Sequence, residues 1–298
     1  MMRILVVSQY FWPEGFRIND LVISMVERGH KVDVLTGKPN YPAGSIFPGY
    51  QVWGSQRETW QGAEILRVPI FLRGSRSSLK LALNYLSFIV FGTLFGTRLC
   101  SGKSYDVVFV YAPSPILQAI PALFLGRIKR APVVLWVQDL WPESLEATGY
   151  VRNKLLLELV KQLVRWIYRQ TDLLLGQSRS FVDEISKLAP DKAVDYYPNS
   201  VEAMFSTNSH GLDPAIEGLN TGFPVVFAGN IGSAQAVETI LDAATLLKDH
   251  KDIRFVVIGD GSQRTWMQEE TKARGVNIVY LRSEEHTSGL QSRQSISY

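Results

Sequence analysis

The sequence predicts an α/β protein of two doubly wound parallel-sheet domains, the second of them incomplete. Three observations predict it. Short Val/Ile/Leu runs alternate with helix-length stretches as far as residue 200. A second, shorter series of the same kind starts near residue 223. The 298 residues, 46% hydrophobic and 20% charged, can fill two cores, and that balance excludes disorder, collagen and coiled coil.

In the front series the strands read as Arg3–Val7, Val32–Leu35, Glu64–Val68, Val107–Val110, Val133–Val137, Leu173–Leu175 and Val194–Tyr197. Several are unbroken apolar runs, which suits strands covered on both faces. Helices fall between them at Asn19–Arg28, Leu79–Leu99, Ile116–Lys129, Lys154–Gln170 and Phe181–Leu188. His30 follows Gly29 at a helix end and reads as a capping-region residue. Residues 1–200 form the first domain, and 201–222, with Gly, Asn and Pro, read as a linker. Residues 223–281 supply strands Val225–Ala228, Phe255–Ile258 and Asn277–Tyr280, where a domain of this kind normally runs to about six. From Arg282 the composition turns to Ser, Gln and Glu. Apart from Gly289, residues 282–298 resemble the translation of a sequencing-library adapter, so they read as a non-native tail on a truncated frame, with a genuine disordered tail as the competing reading, and His286 is given no role.

The net charge of +3 hides an asymmetry. Residues 1–200 carry 23 Lys/Arg against 16 Asp/Glu, which argues for an anionic partner or surface. The single cysteine, Cys100, can form neither an intrachain disulfide nor a cysteine metal cluster, and no signal peptide is readable, so a cytoplasmic location is expected. The histidines at 30, 210, 250 and 286 are scattered and no Asp-x-Asp occurs, so no metal and no cofactor is expected. There is no Walker loop and no G-x-S-x-G, and no G-x-G-x-x-G follows the first strand. Gly259-Asp260-Gly261 reads as a tight strand-to-helix turn.

Ligands of such sheets sit at the carboxyl ends of the strands. The segments there are Ser8–Arg17, Thr36–Pro42, Tyr111–Pro115 and Gln138–Ser144, which set aromatics beside amides and carboxylates. Aromatic faces cover the C–H face of a sugar ring, and Asn, Asp and Glu bind its hydroxyls. The plainer reading is that Trp12 and Trp141 cap the core and the prolines stiffen turns. Four such loops at one edge favour a polar ligand cleft. In the second domain a buried strand runs into Gly229-Asn230-Ile231-Gly232 and a helix starting near Ser233 or Ala234. Small residues and a helix N-terminus make a diphosphate cradle in principle, while a plain turn with Ser233 as N-cap is the competing reading.

Leu81 to Thr97 is an uncharged run of 17 residues, diluted by Asn84, Ser87, Gly92 and Gly96, and reads as a buried or interfacial helix rather than a span. Arg73, Arg76, Lys80, Arg98 and Lys103 surround it; Lys154, Lys161, Arg165 and Arg169 dot a second amphipathic helix. These fit either a basic, apolar face resting on an anionic membrane or a solvated basic face over a core helix.

Segments SQYFWPEGFRINDL, GKPNYPAGSIFPGY, LWVQDLWPESL, YYPNSV and FAGNIGSAQAVETILDAA resemble retaining glycosyltransferases of family 4. The likeness is to the bacterial branch that adds amino-deoxy sugars in O-antigen or capsule assembly. It implies a GT-B fold of two Rossmann-like domains, an acceptor side in the first and a nucleotide-sugar side in the second, and transfer without a metal. Carried over by position, Gly229, Asn230, Ile231, Gly232, Ser233 and Arg17 would meet the donor. Trp12, Gly15, Phe16, Asn40, Tyr41, Trp141 and Glu143 would meet a saccharide or polyprenyl-linked acceptor. Asp139 would lie near the transferred sugar as the catalytic candidate, and Asn199 falls at the interdomain hinge motif. Three departures stand out. Gln138 replaces the family's histidine, the basic pair falls at neutral Asn230 and Gln235, and the donor-binding Glu-x7-Glu segment does not occur, so this chain is expected to have little activity. Nucleic acid is not an expected partner. A nucleotide-sugar-modifying enzyme such as an epimerase would need a glycine-rich NAD loop and a Tyr-x-x-x-Lys pair, and the sequence has neither. A non-catalytic peripheral membrane module is the third reading.

Overall fold

The computed structural model describes residues 1–74, 78–147, 151, 153–200, 222–232 and 235–281. The expected linker apart from Gly222, the 282–298 tail, Arg76, His210 and Ser233 lie outside the described residues. The chain divides into two compact units, Met1–Glu202 and Ala203–Tyr298.

The first unit is built on one eight-stranded sheet in the order β3-β4-β2-β1-β5-β6-β7-β8. Its strands are β1 (Arg3–Val7), β2 (Lys31–Gly37), β3 (Gln56–Trp60), β4 (Ala63–Val68), β5 (Val107–Ala112), β6 (Val133–Val137), β7 (Leu173–Gly176) and β8 (Val194–Tyr196). All neighbours pair in parallel except β3 and β4. The helices are α1 (Ile18–Glu27), α2 (Ser78–Leu99), α3 (Ala119–Lys129), α4 (Glu143–Ala147), α5 (Lys154–Gln170) and α6 (Arg179–Leu188), with a 3-10 turn at Ile116–Gln118 before α3.

Strand β1 shows why the sheet is covered on both sides. Leu5 and Val7 enter the core under α2, α3, α5 and α6, while Ile4 and Val6 enter the core under α1. Period-two alternation in an unbroken apolar strand therefore feeds two cores at once. Chain order reverses direction on the two sides of β1, so the switch point of the sheet lies between β1 and β5.

The sequence reading missed β3 and α4. Gln56–Trp60 reads as polar because β3 is an antiparallel edge strand with no fully buried residue. Its hairpin turn is Gln61-Gly62, both with positive φ (48° and 80°), the geometry that matches strand twist. The helix expected at Ile116–Lys129 is a 3-10 turn followed by α3. Helices α5 and α6 are capped by Asn153 and Ser178, whose side-chain oxygens accept backbone N–H bonds from Leu155 and Phe181 at 2.9 and 3.2 Å. Gly92 and Gly96, which the sequence offered as polar dilution of a long apolar helix, are contact points. A Cβ on Gly96 would stand 3.0 Å from Leu35 Cδ2, and one on Gly92 3.2 Å from Pro121.

The second unit has a parallel three-stranded sheet, β11-β10-β9, made of β9 (Phe223–Ala228), β10 (Ile253–Ile258) and β11 (Ile278–Leu281). Helices α7 (Val237–Leu246) and α8 (Arg264–Ala273) pack on it around Ile231, Leu241, Phe255, Val257 and Met267. Two expectations are corrected here. Strand β9 is not buried: Phe223, Val225 and Val226 are exposed, because among the described residues β9 is the edge strand, paired with β10 alone, and neither of its faces is fully covered. The helix after the glycine turn starts at Val237, since Ala236 has left-handed backbone (φ 47°) and cannot belong to it.

Candidate functional site

The loops that follow β1, β2, β5 and β6 gather at the carboxyl edge of the large sheet, and each contains one cis X-Pro bond: Trp12-Pro13, Tyr41-Pro42, Ser114-Pro115 and Trp141-Pro142. A buried carboxylate joins the first two loops. Glu14 is 2% exposed and accepts from three backbone N–H groups, those of Phe11 (3.2 Å), Asn40 (2.8 Å) and Tyr41 (2.7 Å). Burial pushes its carboxyl above the usual range, and these three bonds pull it back.

Around that staple the aromatic residues are ordered by stacking. Phe16 lies against Tyr10 at 5.2 Å and Tyr41 at 5.1 Å, while Trp12 stacks on Trp60 at 5.5 Å. Arg73 covers the half-exposed Tyr41 ring at 4.9 Å. Gly15 is exposed, with nothing within 4 Å of the position a Cβ would take. Arg17 begins α1 close enough to Tyr111 to offset part of the upward push that burial gives that phenol. Asn40 is fully buried, and its amide group is spent on Lys38 O (2.9 Å) and Arg73 N (3.4 Å).

Beneath the loops lies a polar layer that sequence reasoning did not single out. Arg67, wholly buried on β4, bonds Glu58, Gly37 O at 3.1 Å and Trp12 O, with its guanidinium 4.8 Å from the Tyr50 ring centre. Gln9, 1% exposed, donates its backbone N–H to Gln118 Oε1 (2.7 Å) and its side-chain amide to Asn84 Oδ1 (2.7 Å). Asn84 in turn donates to Phe71 O at 2.6 Å. One signal could have found this layer: a lone asparagine inside a 17-residue uncharged run has to find a partner. Three buried polar atoms at this edge have no protein partner: Gln9 Oε1, Tyr10 Oη and Gln138 Nε2. They comprise an acceptor, a hydroxyl and a donor, all closed off from solvent.

After β6, Trp141 is 7% exposed and belongs to the core, and its Nε1 donates to Asp139 Oδ2 at 3.1 Å. Asp139 is half-buried and Glu143, at the start of α4, is exposed. Gln177 links this loop to the end of the unit: its Nε2 donates to Gln138 O at 3.0 Å and its Oε1 accepts from exposed Asn199.

In the second unit the predicted turn is a close backbone contact. Ile231 is fully buried and its N–H donates to Asp260 O at 2.8 Å, while the Gly229 N–H donates to Ile258 O at 2.9 Å. A Cβ on Gly259 (φ 143°) would stand 1.9 Å from Gly229 O, so Gly259 is what lets the two turns touch. Sequence reading saw Gly259-Asp260-Gly261 as a tight turn and missed that partnership. Asn230 is exposed, its Nδ2 donating to Gln235 Oε1 at 3.3 Å, and both crowd Gly232. Among the described residues no group of three His, Cys, Asp or Glu side chains could hold a metal.

Solved structures share this fold. The complex of Anabaena Alr3699/HepE with UDP and glucose superposes with a TM-score of 0.59 at 12% identity, covering 95% of this chain and 69% of that one. WaaG, a glycosyltransferase involved in lipopolysaccharide biosynthesis, does so at 0.53 and 14%, covering 94% and 70%. The architecture is therefore that of the GT-B glycosyltransferases. A profile of the glycosyl transferase 4-like domain matches residues 15–200, and the chain belongs to that family. The chain is also 26% identical over 299 residues to the putative colanic acid biosynthesis glycosyl transferase WcaI of Escherichia coli (strain K12), covering 92% of this chain and 70% of that protein.

Proposed function

We propose that the activity this fold serves is transfer of a sugar from a nucleotide-diphosphate donor to a hydroxyl of a saccharide acceptor, free or lipid-linked, in the synthesis of a surface polysaccharide, with little turnover from this chain because no Glu-x7-Glu segment occurs in it. The observation that carries this reading is the match of residues 15–200 to a glycosyl transferase 4-like domain, in a unit whose four loops gather aromatic and polar side chains at the carboxyl edge of the sheet. Support comes from the similarity to WcaI and to a fold that in Alr3699/HepE binds UDP and glucose.

The roles follow from exposure. Gly15, Phe16, Tyr41 and Glu143 contact the acceptor, with Trp12 at the rim; Asn40 and Trp141, whose polar groups are already paired, hold the loops in place. Asp139, oriented by Trp141, faces the transferred sugar, and Asn199 acts as the hinge residue through Gln177. The amides of Asn230 and Gly232 meet the diphosphate, because those of Gly229 and Ile231 are spent on β10 and the turn after it. Arg17 adds positive charge. Catalysis then consists of supporting the charge on the departing diphosphate and orienting the acceptor hydroxyl, with retention of anomeric configuration and without a metal.

Calorimetric titration of the protein with a panel of nucleoside diphosphates in EDTA tests this reading. At least one should bind, and Gly232→Asp, which sets a negative charge in the turn, should weaken it about tenfold or more. Absence of binding across the panel, or affinity indifferent to Gly232→Asp, would overturn it.

A further inference from the structure

A cavity of about 410 Å³ opens at the amino edge of the large sheet, between the C-terminal ends of α3 and α5 and the starts of β6 and β7. Small-molecule sites span about 300–1,000 Å³. The loops of the candidate sugar site leave the opposite, carboxyl edge, so the cavity is separate from them. Arg127 in the last turn of α3, Arg130 just past its end and Arg169 in the last turn of α5 line it, with Asp172 as its one acid. All three arginines are exposed.

The ordinary reason for a cation in a last helical turn is the partial negative charge of the helix C-terminus. Here other groups already meet the last carbonyls. At the end of α3, the Ala131 N–H donates to Gly126 O at 3.0 Å and the Arg130 N–H to Arg127 O at 3.3 Å. At the end of α5, Thr171 gives its N–H to Tyr168 O (3.2 Å) and its hydroxyl to Ile167 O (2.9 Å). Among the described residues none of the three guanidiniums donates to a backbone carbonyl or forms an ion pair; Arg127 bonds the Gln170 side-chain oxygen. Asp172 lines the same cavity but spends Oδ2 on the Val133 N–H at 2.7 Å.

The charges do not balance. Two helix C-termini count for about one negative charge, and Asp172 supplies another, against three guanidiniums. Leu123 and Val133, both buried, wall the cavity, and an apolar wall strengthens charge pairing. Guanidinium forks match planar pairs of acceptor oxygens. A carboxylate offers two such oxygens and a phosphate monoester three, so three forks suit the phosphate. We propose that this cavity binds the phosphate of a small soluble phosphate ester, held by the N–H forks of Arg127, Arg130 and Arg169. The proposal stands independently of sugar transfer.

Calorimetric titration of the full chain with inorganic phosphate and with glycerol 3-phosphate tests it, at low salt and about pH 8, where both are dianions. Each binds saturably at one site. Arg130→Gln and Arg169→Gln each weaken binding about tenfold, without changing thermal unfolding because both positions are exposed. Arg169→Lys keeps the charge, loses the fork and stays several-fold weaker than wild type. Absence of saturable binding, or affinity equal in wild type and the glutamine variants, overturns the proposal. So does Arg169→Lys binding as tightly as wild type, because a point charge then suffices. Phosphate affinity that falls in Gly232→Asp and not in the arginine variants belongs to the turn of the second unit and overturns it too. The last arm adds phosphatidylglycerol vesicles: if they displace glycerol 3-phosphate from these arginines, the ligand is a lipid headgroup and the soluble ester is ruled out.

Discussion

Replacing Glu14 by glutamine tests whether one buried carboxylate holds the two candidate acceptor loops together. The carboxylate takes three N–H bonds. An amide has one acceptor oxygen, which can serve Asn40 and Tyr41, and an NH2 that must then face the Phe11 N–H, donor against donor. An orphaned buried N–H costs about 1–3 kcal/mol. The two surviving bonds weaken on losing the charge, and no longer burying a charge offsets part of that. The expected net loss is about 2 kcal/mol at neutral pH, which in a unit of this size lowers Tm by about 4–8 °C. The amides of Phe11, Asn40 and Tyr41 should exchange hydrogen faster in Glu14→Gln. The pH dependence has a definite sign. Burial raises the Glu14 carboxyl, so the folded chain holds this proton more tightly than the unfolded chain. The stability it contributes is full below the ordinary glutamate pKa of about 4.3 and falls as pH rises through the folded value. The deficit of Glu14→Gln should therefore narrow across that window. A Tm within about 2 °C of wild type with unchanged exchange at the three amides would refute the staple.

Gly259→Ala puts a methyl 1.9 Å from Gly229 O, on backbone that cannot step aside. It should displace the 229–232 turn and lower nucleoside-diphosphate affinity in calorimetry about tenfold or more; unchanged affinity would separate that turn from donor binding. Cys100 is fully buried and burial raises its thiol, so iodoacetamide at about pH 8 should label it only after denaturation. Rapid labelling of the native chain would contradict that burial.

The elements that came out of the sequence closest to their observed bounds are those whose hydrophobic signal is strong, either an unbroken apolar run or a clear helical period. Arg3–Val7, Val133–Val137 and Lys154–Gln170 match residue for residue. Strand β3 escaped because an edge strand facing solvent has no reason to be apolar, and α4 because one and a half turns leave too short a period to detect. The loops at the carboxyl edge were legible because strand ends are legible. Which of their side chains are free was not: Asn40 and Glu143 look equally available as letters, but one is fully buried with its amide spent and the other is exposed.

Composition and local pattern alone determined the α/β class, the alternation of strand and helix, the family resemblance and the segments that meet at the sheet edge, because each depends on residues near one another in the chain. The tertiary structure decided what depends on partners far apart: that Glu14 ties Phe11 to Asn40 and Tyr41, that Asn84 on α2 reaches Gln9 after β1, that Gly259 makes room for Gly229, and that the leucines of α2 and α5 turn outward on one face. Hydrophobic patterning sets which faces a chain can bury. A buried polar group or an uncovered apolar one is defined only once packing has settled who its neighbours are.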